Sequence, residues 1–456
     1  DLYFDIENNA TPKLSTTATG ISVHGEVAAS QDYPNFRPSL DFNFAAEKKL
    51  DPRITYQRTG VASFIDKFGL VKIVGDNVPR FDHDPITRES KGLLIEESRT
   101  NRQPHSEQHS PDVADGFINI ASSMTVDYDP GVVTPTGETT GAITFAETGG
   151  SGQHYLGLDV FGAVTSGQTY TFSFFIKNIS GSDTDNVKII TTTAAFPYVV
   201  RTFYFAGTNA GTTNGADSFM TKLPNGWWRC SITLTTNNNF STTAFSLDYR
   251  GYGSGSPYDN KVALWGIQTE LAAFPTSYIR TGNATSGATQ TRGRDIVDVD
   301  GEDFTDFYNQ TESTIISSHT LLPNVPDAEN VYVYQIQDAS TNNVIRVIDK
   351  NSSYSNVATG LVLNSGSSVF HFNNTTDSYT KDKVLVALSV KNNDFAGCHN
   401  GGAISTDTSG TLATNFNSLG IGRYPPSSGY ELNGHIQRFI YYPKQLSDSQ
   451  LKTLTA

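Results

Sequence analysis

The sequence predicts an all-β protein: a small N-terminal β module followed by two antiparallel β-sandwich (jelly-roll) domains. Three observations carry that expectation. Short runs alternate apolar and polar residues with a period of two, as in Tyr170-Thr171-Phe172-Ser173-Phe174 and in residues 228–235, which is the mark of a half-buried strand. Clusters of Gly, Asn and Pro separate those runs, at 178–186, 208–216 and 251–257 among others, and these residues supply turn conformations. Aromatic residues make up 11% of the 456 residues and charged residues only 17%, a balance that suits pleated sheets and excludes a disordered chain.

Residues 1–40 mix Asn, Thr, Ser and Pro with few apolar pairs and read as an extended N-terminal arm, with one strand at Ile21-Ser22-Val23-His24-Gly25. Residues 41–104 read as the small β module, or cap. Asp41-Phe42-Asn43-Phe44 and Arg53-Ile54-Thr55-Tyr56 alternate there, and Asp66-Lys67-Phe68-Gly69 turns a hairpin, with glycine closing the turn. Residues 79–101 end the module: a proline-led extended entry, an Asp82-His83-Asp84-Pro85 turn, and the apolar run Gly92-Leu93-Leu94-Ile95.

Residues 105–290 read as the first sandwich. Alternation puts Trp228, Cys230, Ile232 and Leu234 on the core face and Arg229, Ser231 and Thr233 on the other, places Trp265 in the core, and leaves Trp227 open. The polar stretch 277–295 reads as a linker. Residues 296–456 read as the second sandwich, with strand signals from Thr314-Ile315-Ile316 to Arg438-Phe439-Ile440, and a final helix at 447–454. Ser447 can cap that helix, with Gln450 at the capping-box position.

The formal net charge of −14, with no local Lys/Arg cluster, repels polyphosphate and speaks against nucleic-acid binding. Cys230 and Cys398 fall in different expected domains and read as free core thiols. No apolar run is long enough for a bilayer-spanning helix, so no membrane insertion is expected, and the start at Asp1 shows no signal-peptide pattern. His-Glu-x-x-His, a Walker loop and the Glu-x-Asp-x-x-Glu pattern of sandwich hydrolases are absent from the sequence. The reading is therefore non-enzymatic.

Glycan binding suits the remaining residues, because sugar C–H faces pack on aromatic rings while hydroxyls need Asn and Asp partners. Tyr249, Tyr252 and Tyr258, with Asp259 and Asn260, surround a glycine-rich loop in the first sandwich. In the second, Asn393, Asp394 and Tyr424 stand on rim loops. Structural anchoring, with Tyr249 in the core and the others as loop anchors, is the plainer reading of the same residues. Asp298, Asp300 and Asp303 form, with Glu302, a cluster of hard oxygen ligands suited to calcium; the twelve-residue calcium loop is incomplete, and a solvated acidic loop is the other reading.

Leu50-Asp51-Pro52-Arg53-Ile54-Thr55-Tyr56 with residues 79–101 resembles the linker-and-cap segment of bacteriophage tail-fibre and receptor-binding virion proteins. Residues 263–279 resemble the last strand and exit of the carbohydrate-binding-module-like sandwich in phage fibres. Residues 384–390, 419–422, 434–442 and 446–451 are similar to a laminin-G or concanavalin A-like lectin domain. The resemblance implies a structural component at the surface of a phage virion that adheres to host-surface glycans, with other virion proteins as partners and a homo-oligomer, commonly a trimer. Lectin-like sandwiches of this kind often hold calcium. A capsid-decoration protein and a glycan depolymerase are the alternatives.

Overall fold

The computed structural model describes residues 14–17, 20–23, 33–107, 117–120, 124–128, 130–147, 155–159, 163–180, 186–191, 195–205, 209–240, 244–248, 261–281, 289–326, 330–349, 358–373, 383–425 and 427–456. It is all-β: two antiparallel sandwiches, with short helices at their margins.

The C-terminal sandwich packs a seven-stranded sheet on an eight-stranded one. The first runs in the order Ser367–Asn373, Thr359–Asn364, Val344–Asp349, Val331–Gln337, Ser418–Ile421, Ile296–Asp300, Thr55–Gln57. The second runs Ser405–Asp407, Asp394–His399, Val384–Lys391, Glu312–Leu321, Gly434–Tyr442, Ser90–Ile95, Phe81–His83, with Leu40–Phe42 also paired to Gly434–Tyr442. Strands from residues 40–95 thus lie in both sheets, and Leu40, Phe42, Phe44, Leu93 and Ile95 share one buried core with Val299, Ile315, Tyr334, Leu388 and Phe439. The small β module expected over 41–104 is thus built into the C-terminal sandwich. Strands of three to six residues have too little apolar surface to hold a core alone, and they bury it against the C-terminal half.

The other sandwich is an insertion. Its six-stranded sheet runs Met124–Asp127, Ile143–Glu147, Lys261–Glu270, Thr169–Ser180, Trp227–Thr235, Ser218–Lys222, and its five-stranded sheet Phe117–Ile120, Tyr155–Asp159, Ala244–Asp248, Asn186–Thr191, Val200–Tyr204. The chain leaves the outer sandwich through Arg99–Asn101 and returns through Gln290–Arg292, and these two strands pair antiparallel as a stem. Ile143, Phe172, Phe174, Cys230, Ile232 and Leu264 meet in its interior.

Trp265 does not join that interior. It lies with Phe175, Trp227 and Tyr278 on the outward face of the six-stranded sheet, where the hairpin of Ala62–Ile65 and Val71–Val74 covers them. Plain alternation puts it there: Val262 and Leu264 face the interior, so Ala263 and Trp265 face out. The register shift between Ser173 and Phe175, at Gly266 with φ +61°, then returns Ile267 to the interior. The open position of Trp227 resolves the same way: it is fully buried, and its Nε1 donates to the Val133 carbonyl at 2.9 Å.

The stretch expected as a linker is buried for much of its described length. Tyr278, Ile279, Arg292 and Asp295 are inaccessible or nearly so. Arg292 and Asp295 meet Arg80 and Glu96 there: Arg80 donates to Glu96 at 2.5 Å and to Asp295 at 2.6 Å, and Arg292 lies 2.9 Å from Glu96. The polar composition that suggested solvent is the composition of a buried ion network, which must be paired to be tolerated away from water. The final helix spans Asp448–Thr455, with Ser447 as N-cap and the full capping box to Gln450. In the N-terminal arm, Leu14–Thr17 and Gly20–Val23 form a two-stranded hairpin. Cys230 and Cys398 are both free and buried. No helix among the described residues is long and apolar enough to cross a membrane.

Candidate functional site

The clearest exposed aromatic cluster lies on the outward face of the seven-stranded sheet. Val331–Gln337 sends Val331, Val333, Tyr334 and Ile336 to the core. Alternation with Val331 and Val333 turns Tyr332 out, and the register irregularity between Tyr332 and Tyr334 brings Tyr334 in. On the neighbouring strand Ile345 and Val347 face in, so alternation turns Arg346 out. Its guanidinium lies 5.5 Å from the Tyr332 ring centre, a cation–π contact. Burial pushes the Tyr332 hydroxyl above its usual pKa, with Arg346 pulling the other way.

The loop after Ser418–Ile421 completes the cluster. Pro425 rests on Gly420, where any Cβ would collide with the proline ring. Tyr424 stacks obliquely on Tyr332 at 4.9 Å between ring centres, and Tyr430 stands edge-on to both, at 6.0 Å from Tyr332 and 5.8 Å from Tyr424. Tyr332 is mostly covered by its neighbours, Tyr424 is half-buried, and Tyr430 is 40% exposed. The rings a ligand would meet are therefore Tyr424 and Tyr430. An open cleft of about 610 Å³ adjoins Tyr430, with Asn330 and Gly429 on one wall and Gln168, Thr169 and Leu271 of the inserted sandwich on the other.

Ion pairs hold this loop. Arg423 Nη1 donates to both carboxylate oxygens of Asp298 at 2.6 Å, and its Nη2 donates to the Pro425 carbonyl at 3.0 Å. Arg294 donates to the Ser427 carbonyl at 2.8 Å and meets Glu431 at 3.4 Å, while Glu431 accepts the Gly429 N–H. Arg346 itself has no carboxylate partner among the described residues; its Nη1 makes only long contacts, 3.4 Å to Gln335 and 3.5 Å to the Tyr332 hydroxyl. The cluster thus presents two accessible rings beside a cation with no carboxylate partner among the described residues.

Of the residues singled out from sequence, Tyr424 is in this cluster. Asn393 and Asp394 are not: they belong to a tight turn of the eight-stranded sheet. Asn393 adopts φ +55°, and its backbone and side chain both bond Gly410; the Asp394 carbonyl accepts from Gln445. Tyr249, Tyr252, Tyr258, Asp259 and Asn260 lie outside the described residues. The three aspartates expected to hold calcium do not converge. Asp298 is engaged by Arg423; Asp300 precedes the short helix Gly301–Thr305 without capping it; Asp303 is exposed in that helix's first turn. Partial burial and then Asp298 raise the Asp300 pKa above the usual range. Among the described residues no group of three or more His, Cys, Asp or Glu is arranged to hold a metal ion.

Tyr332 and Tyr430 were missed from sequence. In Val331-Tyr332-Val333-Tyr334 a period of two puts both tyrosines on one face, and only the irregularity between them separates inside from outside.

No protein-family model and no curated protein matches the chain. Among solved structures it is similar to the CBM40 of the IT-sialidase from Ruminococcus gnavus bound to α2,3-sialyllactose, at 14% identity and TM-score 0.29, covering 34% of this chain and 87% of that one. A mutant of NanB sialidase from Streptococcus pneumoniae matches at 13% identity and TM-score 0.29, covering 35% of this chain and 26% of that one. The SAP-like pentraxin of Limulus polyphemus matches at 12% identity and TM-score 0.25, covering 32% and 70%. Likenesses at these scores carry no weight on ligand or activity here.

Proposed function

We propose that the protein is a non-catalytic glycan-binding chain of a bacteriophage virion, a tail-fibre or appendage component that grips host-surface sugars through Tyr424 and Tyr430. The observation that carries the binding reading is the ion-pinned tyrosine cluster. Two rings stand accessible beside Arg346, which has no carboxylate partner among the described residues, and the residues around them are braced through Arg423–Asp298 and Arg294–Ser427 contacts. Aromatic faces receive sugar C–H surfaces, and a rigid loop binds without an ordering cost. Sugars carrying an anionic substituent fit Arg346 best.

Asp298 and Glu431, which brace the tyrosines, are committed to Arg423 and Arg294, and Glu97 in the adjoining cleft to Arg99, which suits adhesion rather than acid–base hydrolysis. The virion setting and the trimer rest on the sequence resemblance alone. Multivalent display would raise weak sugar affinity through effective concentration.

A glycan array, run with and without calcium and repeated with Tyr424→Ala and Tyr430→Ala, tests this reading. Hits lost in both variants support it; an array without hits, or hits indifferent to both, defeats it. New reducing ends after incubation with host polysaccharide would defeat the non-enzymatic reading.

A further inference from the structure

A second cleft, of about 530 Å³, lies between the six-stranded sheet of the inserted sandwich and the rim of the outer one. Its carboxylates are nearly all engaged. Asp82 pairs with His435 at 2.8 Å and accepts the Ile65 N–H at 2.6 Å. Asp84 accepts two backbone N–H groups and meets Lys91 at 3.6 Å. Glu96 is held by Arg80, Arg292 and Ser277; Glu89 alone stands exposed at the rim.

The cations are not all engaged. The buried cluster beside the cleft sets Arg58, Arg80, Arg292 and Arg229 against Glu96, Asp295 and Glu270, which leaves one guanidinium over. Arg58, Arg80 and Arg292 have ion pairs within it. Arg229 lines the cleft and has none among the described residues. Its Nη2 donates to the Thr276 carbonyl at 2.6 Å and to the Ser173 hydroxyl at 3.4 Å, its guanidinium lies 5.5 Å from the Phe175 ring centre, and its Nη1 has no hydrogen-bond partner among the described residues. Lys383, exposed on the opposite rim, also lacks an ion-pair partner among the described residues. Glu270 and Glu96 act on Arg229 only at a distance, and a half-buried guanidinium with no direct ion pair, in a cluster with one cation in excess, gains from an incoming anion. Phe219, 40% exposed, supplies an aromatic face at the same opening, and Thr221 a hydroxyl.

We propose that this cleft is a second saccharide site, selective for a sugar bearing a carboxylate, with Arg229 as the partner of the carboxylate and Phe219 as the platform for the ring. It is built from both sandwiches, so its occupant bridges them, and it is independent of the tyrosine cluster.

The test is a titration of the full chain followed by tryptophan fluorescence, since Trp265 lies 5.1 Å from Phe175 and 4.7 Å from Tyr278, and both of those line the cleft. The probes are a glucuronic-acid disaccharide, its methyl ester, and polyglutamate. Saturable binding of the acid is expected, weaker by about tenfold or more for the ester, as when one member of a buried charge pair is removed. Arg229→Gln should lose the binding by a similar factor. Thr221→Trp, which fills the cleft from an exposed strand position, should lose it with the fold intact and decides the matter if Arg229→Gln does not fold. Run in a Tyr430→Ala background, which takes the tyrosine cluster out of the readout, the acid should still bind in preference to the ester. The proposal is overturned if the ester binds as well as the acid, if polyglutamate binds in preference, if the acid fails to saturate into the millimolar range, or if Thr221→Trp binds unchanged.

Discussion

Arg80 and Asp295 stand 215 positions apart in the sequence and meet at 2.6 Å, both side chains fully buried. Their contact ties the last strands before the inserted sandwich to the first residues after it. Asp295 also accepts the Glu96 N–H at 2.8 Å and the Tyr56 hydroxyl at 2.5 Å, and lies 3.6 Å from Arg58. Asp295→Asn keeps the shape and removes the charge, leaving two buried guanidinium groups undercompensated. A loss of roughly 3–5 kcal/mol of stability is expected, and a urea-unfolding loss below about 1 kcal/mol would contradict it.

Acid should loosen the same network through Glu96. Burial pushes its carboxyl up, but Arg292, Arg80 and the Ser277 bonds outweigh burial and hold it well below the usual carboxylate range. The unfolded chain takes up this proton near pH 4.3, whereas the folded chain refuses it until lower pH. The stability Glu96 contributes is therefore complete above about pH 4.3 and is lost as pH falls toward the folded value. Thermal melting should drop across that acid window, and Glu96→Gln should flatten the drop. An equal slope in the two proteins would assign it to other carboxylates.

Local features were legible in the sequence and long-range ones were not. The capping box of Ser447 and Gln450 needs only four consecutive residues, and the hairpin turn at Asp66 is built by its own side chain, which accepts the N–H groups of Phe68 and Leu70. Membership of residues 40–95 in the C-terminal sheets depends on contacts such as Glu97 N–H to Asn433, 336 positions away, and no local pattern encodes such a partner. Arg292 and Asp295 read as solvated because polarity is the same signal whether the partner is water or Arg80 and Glu96. Tyr424 was legible because Tyr-Pro-Pro marks a rim loop. Tyr332, which supports it, was hidden in an apolar strand.

Glycine at position 92 is required by the strand pairing that joins the N-terminal segment to the outer sandwich. Its φ is +91°, and any Cβ there would run into the Ile436 carbonyl oxygen. Gly92→Ala should cost at least about 2 kcal/mol, from strain plus displaced pairing. Gly131→Ala is the control: φ is +63° there, but nothing lies within 4 Å of the added Cβ, so only the left-handed backbone penalty of about 1–2 kcal/mol applies. Comparable losses at the two positions would show that the collision is absorbed by movement of Gly434–Tyr442.

Insertion topology makes opposite predictions for two truncations. Joining Asn101 to Gln290 through a short glycine turn removes the inserted sandwich but keeps the stem register, in which these two residues are opposite. The product retains all strands of the outer sandwich and should melt cooperatively, at lower temperature for want of the cover over the hairpin at 62–74. Residues 296–456 alone lack Leu40–Phe42, Thr55–Gln57, Phe81–His83 and Ser90–Ile95, and with them Leu93 and Ile95 of the shared core. That fragment should aggregate or bind dyes specific for exposed apolar surface. Cooperative folding of the fragment would mean that the N-terminal strands decorate a sandwich that is complete without them.

Asp298 separates two accounts of the acidic cluster. In the structure both its oxygens are taken by Arg423, and that contact anchors the loop carrying Tyr424 and Tyr430. The carboxylate is one-fifth exposed, so solvent tempers the loss of the pair and Asp298→Ala should cost no more than about 1–2 kcal/mol of global stability. Sugar binding at the tyrosines should weaken by about tenfold, because a loosened loop must be ordered when the ligand arrives. That loss should be the same in calcium and in EDTA. A wild-type affinity that falls in EDTA to the level of Asp298→Ala would instead assign Asp298 to a cation, and Arg423 would then be the group that leaves when the cation binds.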